Sequence, residues 1–283
     1  MKYIDLHVHS TKSDGTFTPS EIILLAAQQQ LSAIALTDHD TVSGIAKAHT
    51  AIKEHGIDME LVPGVELSTD YNGIEVHLLG YYIDTDNASF LQKLTLFQDS
   101  RTERNAKMIG KLQQEGFDIS LAALRATFPD SILTRAHFAR FLTEMGLVKN
   151  IETVFSNYLG DDCRCYVPRE KITPFEAIDL IHAGNGLAFF AHPLLCHMNS
   201  DQLRYFVKSM AEHGLSGIEA IYSTHTPADE RNMKRLAKDY GLLISGGSDF
   251  HGNNKPSIQL KSGKGNLAIP YQILEDIKAA IRL

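Results

Sequence analysis

An α/β fold with a mostly parallel sheet closed into a barrel is predicted by three observations. Short apolar runs alternate with helix-period segments in both outer thirds of the 283-residue chain, which is the pattern of repeated βα units. The number of such units suits closure of the sheet on itself. Nearly every apolar run delivers a histidine or a carboxylate at or just after its end, as expected where strand carboxyl ends share one functional rim.

The elements follow in order. Tyr3 to Val8 reads as a first strand. Thr18-Pro19-Ser20-Glu21 is a helix start, with Thr18 as N-cap, Pro19 in the first turn and Glu21 completing a capping box, and the helix runs to about Gln30. Ala33 to Leu36 is a strand, Ser43 to His55 a helix and Glu60 to Val65 a third strand. Asn72-Gly73 joins two more strand-like runs as a hairpin, because both residues tolerate positive φ. Alternation then stops. Phe90 to Glu115, Leu121 to Thr127, Ala136 to Met145 and Ile151 to Tyr158 all read as helix. Residues 91–169 are therefore expected to be a helical insertion in a barrel built from 1–90 and 170–283. Alternation resumes with helix Pro174 to Ala183, strand Leu187 to Phe190, helix Asp201 to His213, strand Gly217 to Ala220, helix Pro227 to Tyr240 and strand Leu242 to Ser245.

Composition bounds the function. With 43% hydrophobic and 22% charged residues the chain has material for a sizeable core. A net charge of -7 argues against coating long duplex nucleic acid, yet leaves room for a small phosphorylated ligand where bound cations reverse the local sign. The cysteines Cys163, Cys165 and Cys196 are odd in number and match no common zinc spacing. A reducing compartment, no membrane span and no signal peptide at Met1-Lys2-Tyr3-Ile4-Asp5 together suggest a cytoplasmic protein.

The chemistry lies in His7-Val8-His9, Thr37-Asp38-His39-Asp40 and Ser248-Asp249-Phe250-His251. Residues two apart on a strand share a face, so His7 and His9 can reach one ion. Asp14 in Ser13-Asp14-Gly15, Glu66 in Pro63-Gly64-Val65-Glu66, His77 in an apolar run and His192 in Ala191-His192-Pro193 complete a set of nine candidate ligands. Singly, each has a plainer role: Asp14 can cap a turn, and His77 can be a buried core histidine. Together they would be costly to gather at one rim without compensating cations. Nine ligands exceed one tetrahedral zinc, and mixed imidazole and carboxylate donors suit two or three ions of manganese, iron or zinc. Glu66 can bridge two ions, and Asp38 is a candidate acceptor orienting a ligand imidazole.

These motifs, with His7-Val8-His9-Ser10 at the start and the rest in order across the whole chain, resemble the PHP (polymerase and histidinol phosphatase) family. The resemblance implies a distorted seven-stranded (β/α) barrel with three divalent ions, manganese first among the candidates. It places His7, His9, Glu66 and Asp249 on one ion, Glu66, His77 and His192 on a second, and Asp14, His39 and His251 on a third. Arg101-x-x-Arg104-Asn105, Thr134-Arg135-Ala136-His137-Phe138-Ala139-Arg140, Tyr166-Val167-Pro168 and the Lys171-to-His182 stretch resemble the branch containing nucleoside 3′,5′-bisphosphate phosphatases and a bacterial 5′-to-3′ exoribonuclease.

The expected reaction is hydrolysis of a phosphate ester on a nucleotide bearing 5′ and 3′ phosphates, or at the 5′ end of a short RNA, by metal-activated water. Asp14, His39 and His251 are expected at the reacting phosphate, with a protonated histidine as proton donor. Arg101 and Arg104, three apart on one helix face, and Thr134 and Arg135 at a helix start are expected to grip the second phosphate. An anion there would relieve the unfavourable placement of Arg135 at a helix N-terminus. His137 is balanced between ligand and helix cap. Two other readings remain: a histidinol-phosphate phosphatase, which needs an acidic group for the substrate amine, and a non-catalytic nucleic-acid-binding or regulatory domain. The oligomeric state is left open.

Overall fold

The computed structural model describes residues 2–161, 163–168 and 171–281. The boundary expected at 169/170 lies outside the described residues. Seven strands form one sheet in sequence order: β1 Tyr3–Val8, β2 Leu31–Leu36, β3 Glu60–Tyr71, β4 Ile74–Tyr81, β5 Leu187–Phe190, β6 Gly217–Tyr222 and β7 Leu243–Gly247. β1–β2–β3 and β5–β6–β7 are parallel, and β4 runs antiparallel to both β3 and β5. Just beyond the ends of the sheet, Asp249 N–H donates to His7 O at 2.9 Å and His9 N–H to Phe250 O at 3.0 Å, so the barrel is nearly closed. Gly247 lets β7 lie this close to β1, since a Cβ there would sit 2.2 Å from His7 Cβ.

The helices are α1 Pro19–Gln28, α2 Ile45–His55, α3 Ala88–Gln114, α4 Leu121–Thr127, α5 Arg135–Glu144, α6 Ile151–Val154, α7 Pro174–Ala183, α8 Ser200–Glu212, α9 Pro227–Asp239 and α10 Gln272–Ile281. The Thr18/Glu21 capping box is present, and equivalent boxes start α7 (Thr173/Glu176) and α9 (Thr226/Asp229). These hydroxyl and carboxylate pairs satisfy amides that would otherwise be orphaned at each helix start.

Alternation along each strand divides the core. Leu6, Ala33, Ala35, Val62, Leu79 and Phe189 join Ile273, Leu274 and Ile277 of α10 in one cluster. The opposite strand faces, such as Ile34, Leu36 and Val65, pack with residues of α1, α2, α7, α8 and α9 in a larger one. A third cluster, from Met108 to Val167, belongs to the helical block alone.

Three features depart from expectation. The two strand runs expected before Asn72-Gly73 are one twelve-residue strand, β3. Its polar second half stays extended because it is laddered to β4 from Gly64↔Tyr81 to Tyr71↔Ile74, not because of its own hydrophobicity. Helix α6 stops at Val154 and continues as a π turn over Phe155–Leu159. Helix α10 went unread, although Ile273, Leu274 and Ile277 form a helical apolar face.

Candidate metal centre and its cavity

The barrel rim brings all nine candidate ligands together. β1 carries His7, and His9 lies just past its end, both fully buried. The turn after it carries Asp14. Beyond β2, Asp40 N–H donates to Glu66 O (2.9 Å) and Glu66 N–H to Asp38 O (3.2 Å), which sets His39 beside Glu66 on β3. His77 lies on β4, His192 follows β5, and Asp249 and His251 follow β7. The chain turns at this rim through positive φ at Asp40 (52°), His192 (28°) and Asp249 (58°). Such conformations are uncommon outside glycine and gather at functional sites.

Glu66 is the hub. Its Oε1 lies 2.9 Å from His77 Nδ1 and 3.0 Å from His192 Nε2. Its Oε2 lies 3.1 Å from His9 Nε2, 3.2 Å from His39 Nδ1 and 3.3 Å from His7 Nε2. Asp249 Oδ1 lies 3.2 Å from His251 Nδ1 and 3.4 Å from His9 Nε2. Asp14 Oδ1 lies 3.2 Å from His251 Nε2, and Asp14 Oδ2 3.8 Å from His39 Nε2.

These spacings suit a shared cation better than a hydrogen-bond network. His7 Nε2 and His9 Nε2 approach each other to 3.1 Å, a spacing that also suits two ligands of one ion. Asp14 Oδ1 and His39 Nδ1 are buried yet make no hydrogen bond among the described residues. Bonds of about 2.0–2.2 Å to one ion place neighbouring donors roughly 3.0–3.4 Å apart. Three groups have donor atoms close enough to hold an ion: His7, His9 and Glu66; His9, Asp14, His39 and His251; and His39, Glu66 and His77. This grouping shares His9, His39 and Glu66 between centres, whereas the family resemblance shares Glu66 alone.

Electrostatics divide the imidazoles. Burial lowers His9 and His77, but neighbouring carboxylates more than reverse this and raise both to about 9: Asp249 and Glu66 act on His9, Glu66 and Glu75 on His77. At His39 burial prevails over Glu66 and Asp14 and pushes the ring down to about 3. Burial also lowers His251, helped by the nearby Lys255 cation. His39 and His251 are therefore neutral near pH 7, the state that suits a metal ligand.

The sequence reading missed the residues that hold this cluster in place. Glu219 on β6 is fully buried; it accepts from His7 Nδ1 at 2.9 Å and from the His192 backbone N–H at 2.7 Å. A lone carboxylate in the apolar run Gly217 to Ala220 was the available signal. Tyr222 Oη and Lys255 Nζ donate to Asp249 Oδ2 at 2.7 and 2.6 Å. Asp38 does not orient an imidazole directly. It accepts from Ser10 N–H (2.8 Å), Ser10 Oγ (2.7 Å) and Ser13 Oγ (2.6 Å), which fixes the turn bearing Asp14. Its carboxylate approaches a ligand imidazole through Ser13 Oγ, 3.4 Å from His9 Nδ1. His137 proves to be a cap: its Nδ1 accepts from Thr134 N–H at 3.0 Å, and burial lowers it to about 4.

Asp14, His39 and His77 line one wall of a cavity of about 370 Å³ that also presents Arg101, Arg104, Arg135, Thr134, Lys171 and Lys255. Arg101 and Arg104 share a buried helix face, not a solvated one. Arg101 Nε donates to Asp40 Oδ2 at 2.6 Å and its Nη2 to Ser68 Oγ at 3.0 Å. Thr134 Oγ1 donates to Asp14 Oδ2 at 3.3 Å. Arg135 is held by Asp161 (2.7 Å) and Glu75 (3.1 Å), so the protein's own carboxylates occupy the place expected for an anion. Glu75 also accepts from Lys171 Nζ at 2.5 Å.

The profile of the PHP domain family matches residues 5–252. The 5′-3′ exoribonuclease Rnm of Escherichia coli is 34% identical over 247 residues, covering 87% of this chain and 84% of that protein. The 3′,5′-nucleoside bisphosphate phosphatase of Chromobacterium violaceum is 34% identical over 255 residues, covering 89% and 88%. A solved Chromobacterium violaceum amidohydrolase with bound sulfate and no metal superposes with a TM-score of 0.85 at 30% identity, covering 98% of this chain and 96% of that one.

Proposed function

The chain belongs to the PHP domain family, and we propose from that premise that it is a metal-dependent phosphoesterase acting on nucleoside 3′,5′-bisphosphates or on the 5′ end of short RNA. One observation carries this reading: a single cavity joins the cluster of buried imidazoles and carboxylates to a set of arginine and lysine side chains. One wall suits divalent cations and the other suits phosphate oxygens. The relatives named for RNA and for nucleoside bisphosphate support the same substrate class.

His7, His9, Asp14, His39, Glu66, His77, His192, Asp249 and His251 would hold the ions, three by the family resemblance. Bound there, divalent ions supply an activated water and neutralise charge on phosphate oxygens. The chain's own residues do the rest. Glu66 spans the site with both oxygens, and Glu219 fixes the ring of His7 so that Nε2 faces Glu66. Thr134, Arg135, Arg104 and Lys171 hold the phosphate that is not cleaved. Arg101, paired with Asp40, chiefly fixes the cavity wall. The helical block 91–169 shapes the pocket, and a cavity of about 370 Å³ is of a size to take a nucleotide or a strand end. Manganese is the first choice of ion. Among the described residues no helix is long and apolar enough to cross a membrane.

The test is the purified protein with manganese on three substrates: a nucleoside 3′,5′-bisphosphate, a short 5′-phosphorylated RNA and histidinol phosphate. Higher kcat/KM on either of the first two is expected. Preference for histidinol phosphate overturns the substrate assignment, and hydrolysis of none of them overturns the enzyme.

A further inference from the structure

We infer that Lys255, outside every motif recognised in the sequence, binds the phosphate that is cleaved. The inference deepens the proposed function and rests on it. The argument begins with Asp249, whose two oxygens face different neighbours. Oδ1 faces the cluster, at 3.2 Å from His251 and 3.4 Å from His9. Oδ2 faces away and accepts from Tyr222 Oη and Lys255 Nζ. An ammonium has three N–H donors. Asp249 takes one, and nothing else among the described residues accepts from Lys255. The side chain is half-exposed and lines the cavity beside Asp14 and His39. Its remaining donors thus open onto the cluster wall and not onto bulk solvent alone.

The backbone holds this lysine in place. Asn253 N–H donates to Thr16 Oγ1 at 2.9 Å, and Asn254 Nδ2 donates to Asp14 O at 2.6 Å. Lys255 N–H closes the turn onto Gly252 O at 3.1 Å. The ammonium is therefore carried on a loop pinned at two successive residues, one of the pins being Asp14 itself. A lysine ammonium with two donors free beside the cluster suits a phosphate oxygen.

Arg135 and Lys255 therefore have separable roles. Arg135, on Glu75 and Asp161, serves the second phosphate. Lys255, on Asp249, serves the first. Loss of Lys255 consequently affects every phosphate ester, with or without a second phosphate.

The experiment compares full-length wild type, Lys255→Gln and Lys255→Arg, all loaded with manganese. The readouts are kcat and KM on a nucleoside bisphosphate and on p-nitrophenyl phosphate, binding of inorganic phosphate by calorimetry, and bound metal. Lys255→Gln should lower kcat/KM about tenfold to hundredfold on both esters and weaken inorganic phosphate binding, the range expected for one charge-assisted hydrogen bond. Metal content should stay at the wild-type level, and Lys255→Arg should recover much of the loss. Unchanged phosphate binding in Lys255→Gln, or a loss explained by missing metal, overturns the inference. If wild type hydrolyses neither ester yet binds phosphate through Lys255, the proposed function fails and the site assignment stands.

Discussion

Replacing Glu219 by glutamine probes the support beneath the cluster without touching its open face. Glu219 accepts twice, from His7 Nδ1 at 2.9 Å and from the His192 N–H at 2.7 Å. Both partners are donors when His7 presents Nε2 to the cluster. A glutamine offers one acceptor oxygen and one donor NH2, so one of the two contacts becomes donor against donor. Either His7 adopts the other tautomer and loses its free Nε2, or the turn at His192 shifts. Outer carboxylates of this kind are worth roughly tenfold to hundredfold in metal affinity, which is about 1.4–2.7 kcal/mol. The assay is manganese titration of metal-stripped protein, followed by calorimetry and by recovery of phosphatase activity. The metal-free variant should unfold at a temperature close to wild type, because the substitution also removes a buried charge. Wild-type manganese affinity in Glu219→Gln would refute the role assigned to this residue.

Four further outcomes are expected. Arg135→Ala should lower kcat/KM about tenfold to hundredfold on a nucleoside bisphosphate and leave p-nitrophenyl phosphate nearly unchanged, since one charge-assisted contact is lost; equal losses on both would remove the assignment. Manganese binding near pH 7.5 should release protons: His9 and His77 titrate at about 9 in the metal-free protein, so they are protonated there and must lose that proton to become ligands. Affinity then rises from pH 7 towards 9, and a pH-independent affinity over that range contradicts it. Gly247→Ala should lower the melting temperature, with a cost of about 1–3 kcal/mol for overpacking, because the new methyl falls 2.2 Å from His7 Cβ; an unchanged melting curve would show that β1 and β7 can separate freely. At Glu60, burial pushes the carboxyl up, but hydrogen bonds from Lys278, Tyr271 and Tyr82 hold it below its ordinary value. A depressed folded value contributes stability above the unfolded pKa, and this is lost as pH falls through the folded one. Glu60→Gln should therefore flatten the acid limb of a thermal-stability profile, and an identical limb would count against the link between Glu60 and α10.

The sequence by itself determined the βα alternation, the helix starts and the nine residues that meet at the rim. These are local or periodic signals: a strand repeats every two residues, a capping box spans four, and a histidine at a strand end is visible without knowing what lies across from it. It did not reveal that β3 continues through a polar stretch, because that extension is supported by its ladder with β4. Nor did it reveal Glu219, Tyr222 or Lys255, whose partners lie on other elements: Glu219 is 212 residues from His7. Asp38 and Arg101 were legible as charged residues but not by role, since a carboxylate near histidines and an arginine on a helix are satisfied by whatever the fold brings within about 3 Å. Tertiary packing alone decided which charges meet in the buried cluster, which line the cavity and which merely hold the others still, because pairing in a buried site depends on distances that no linear spacing encodes.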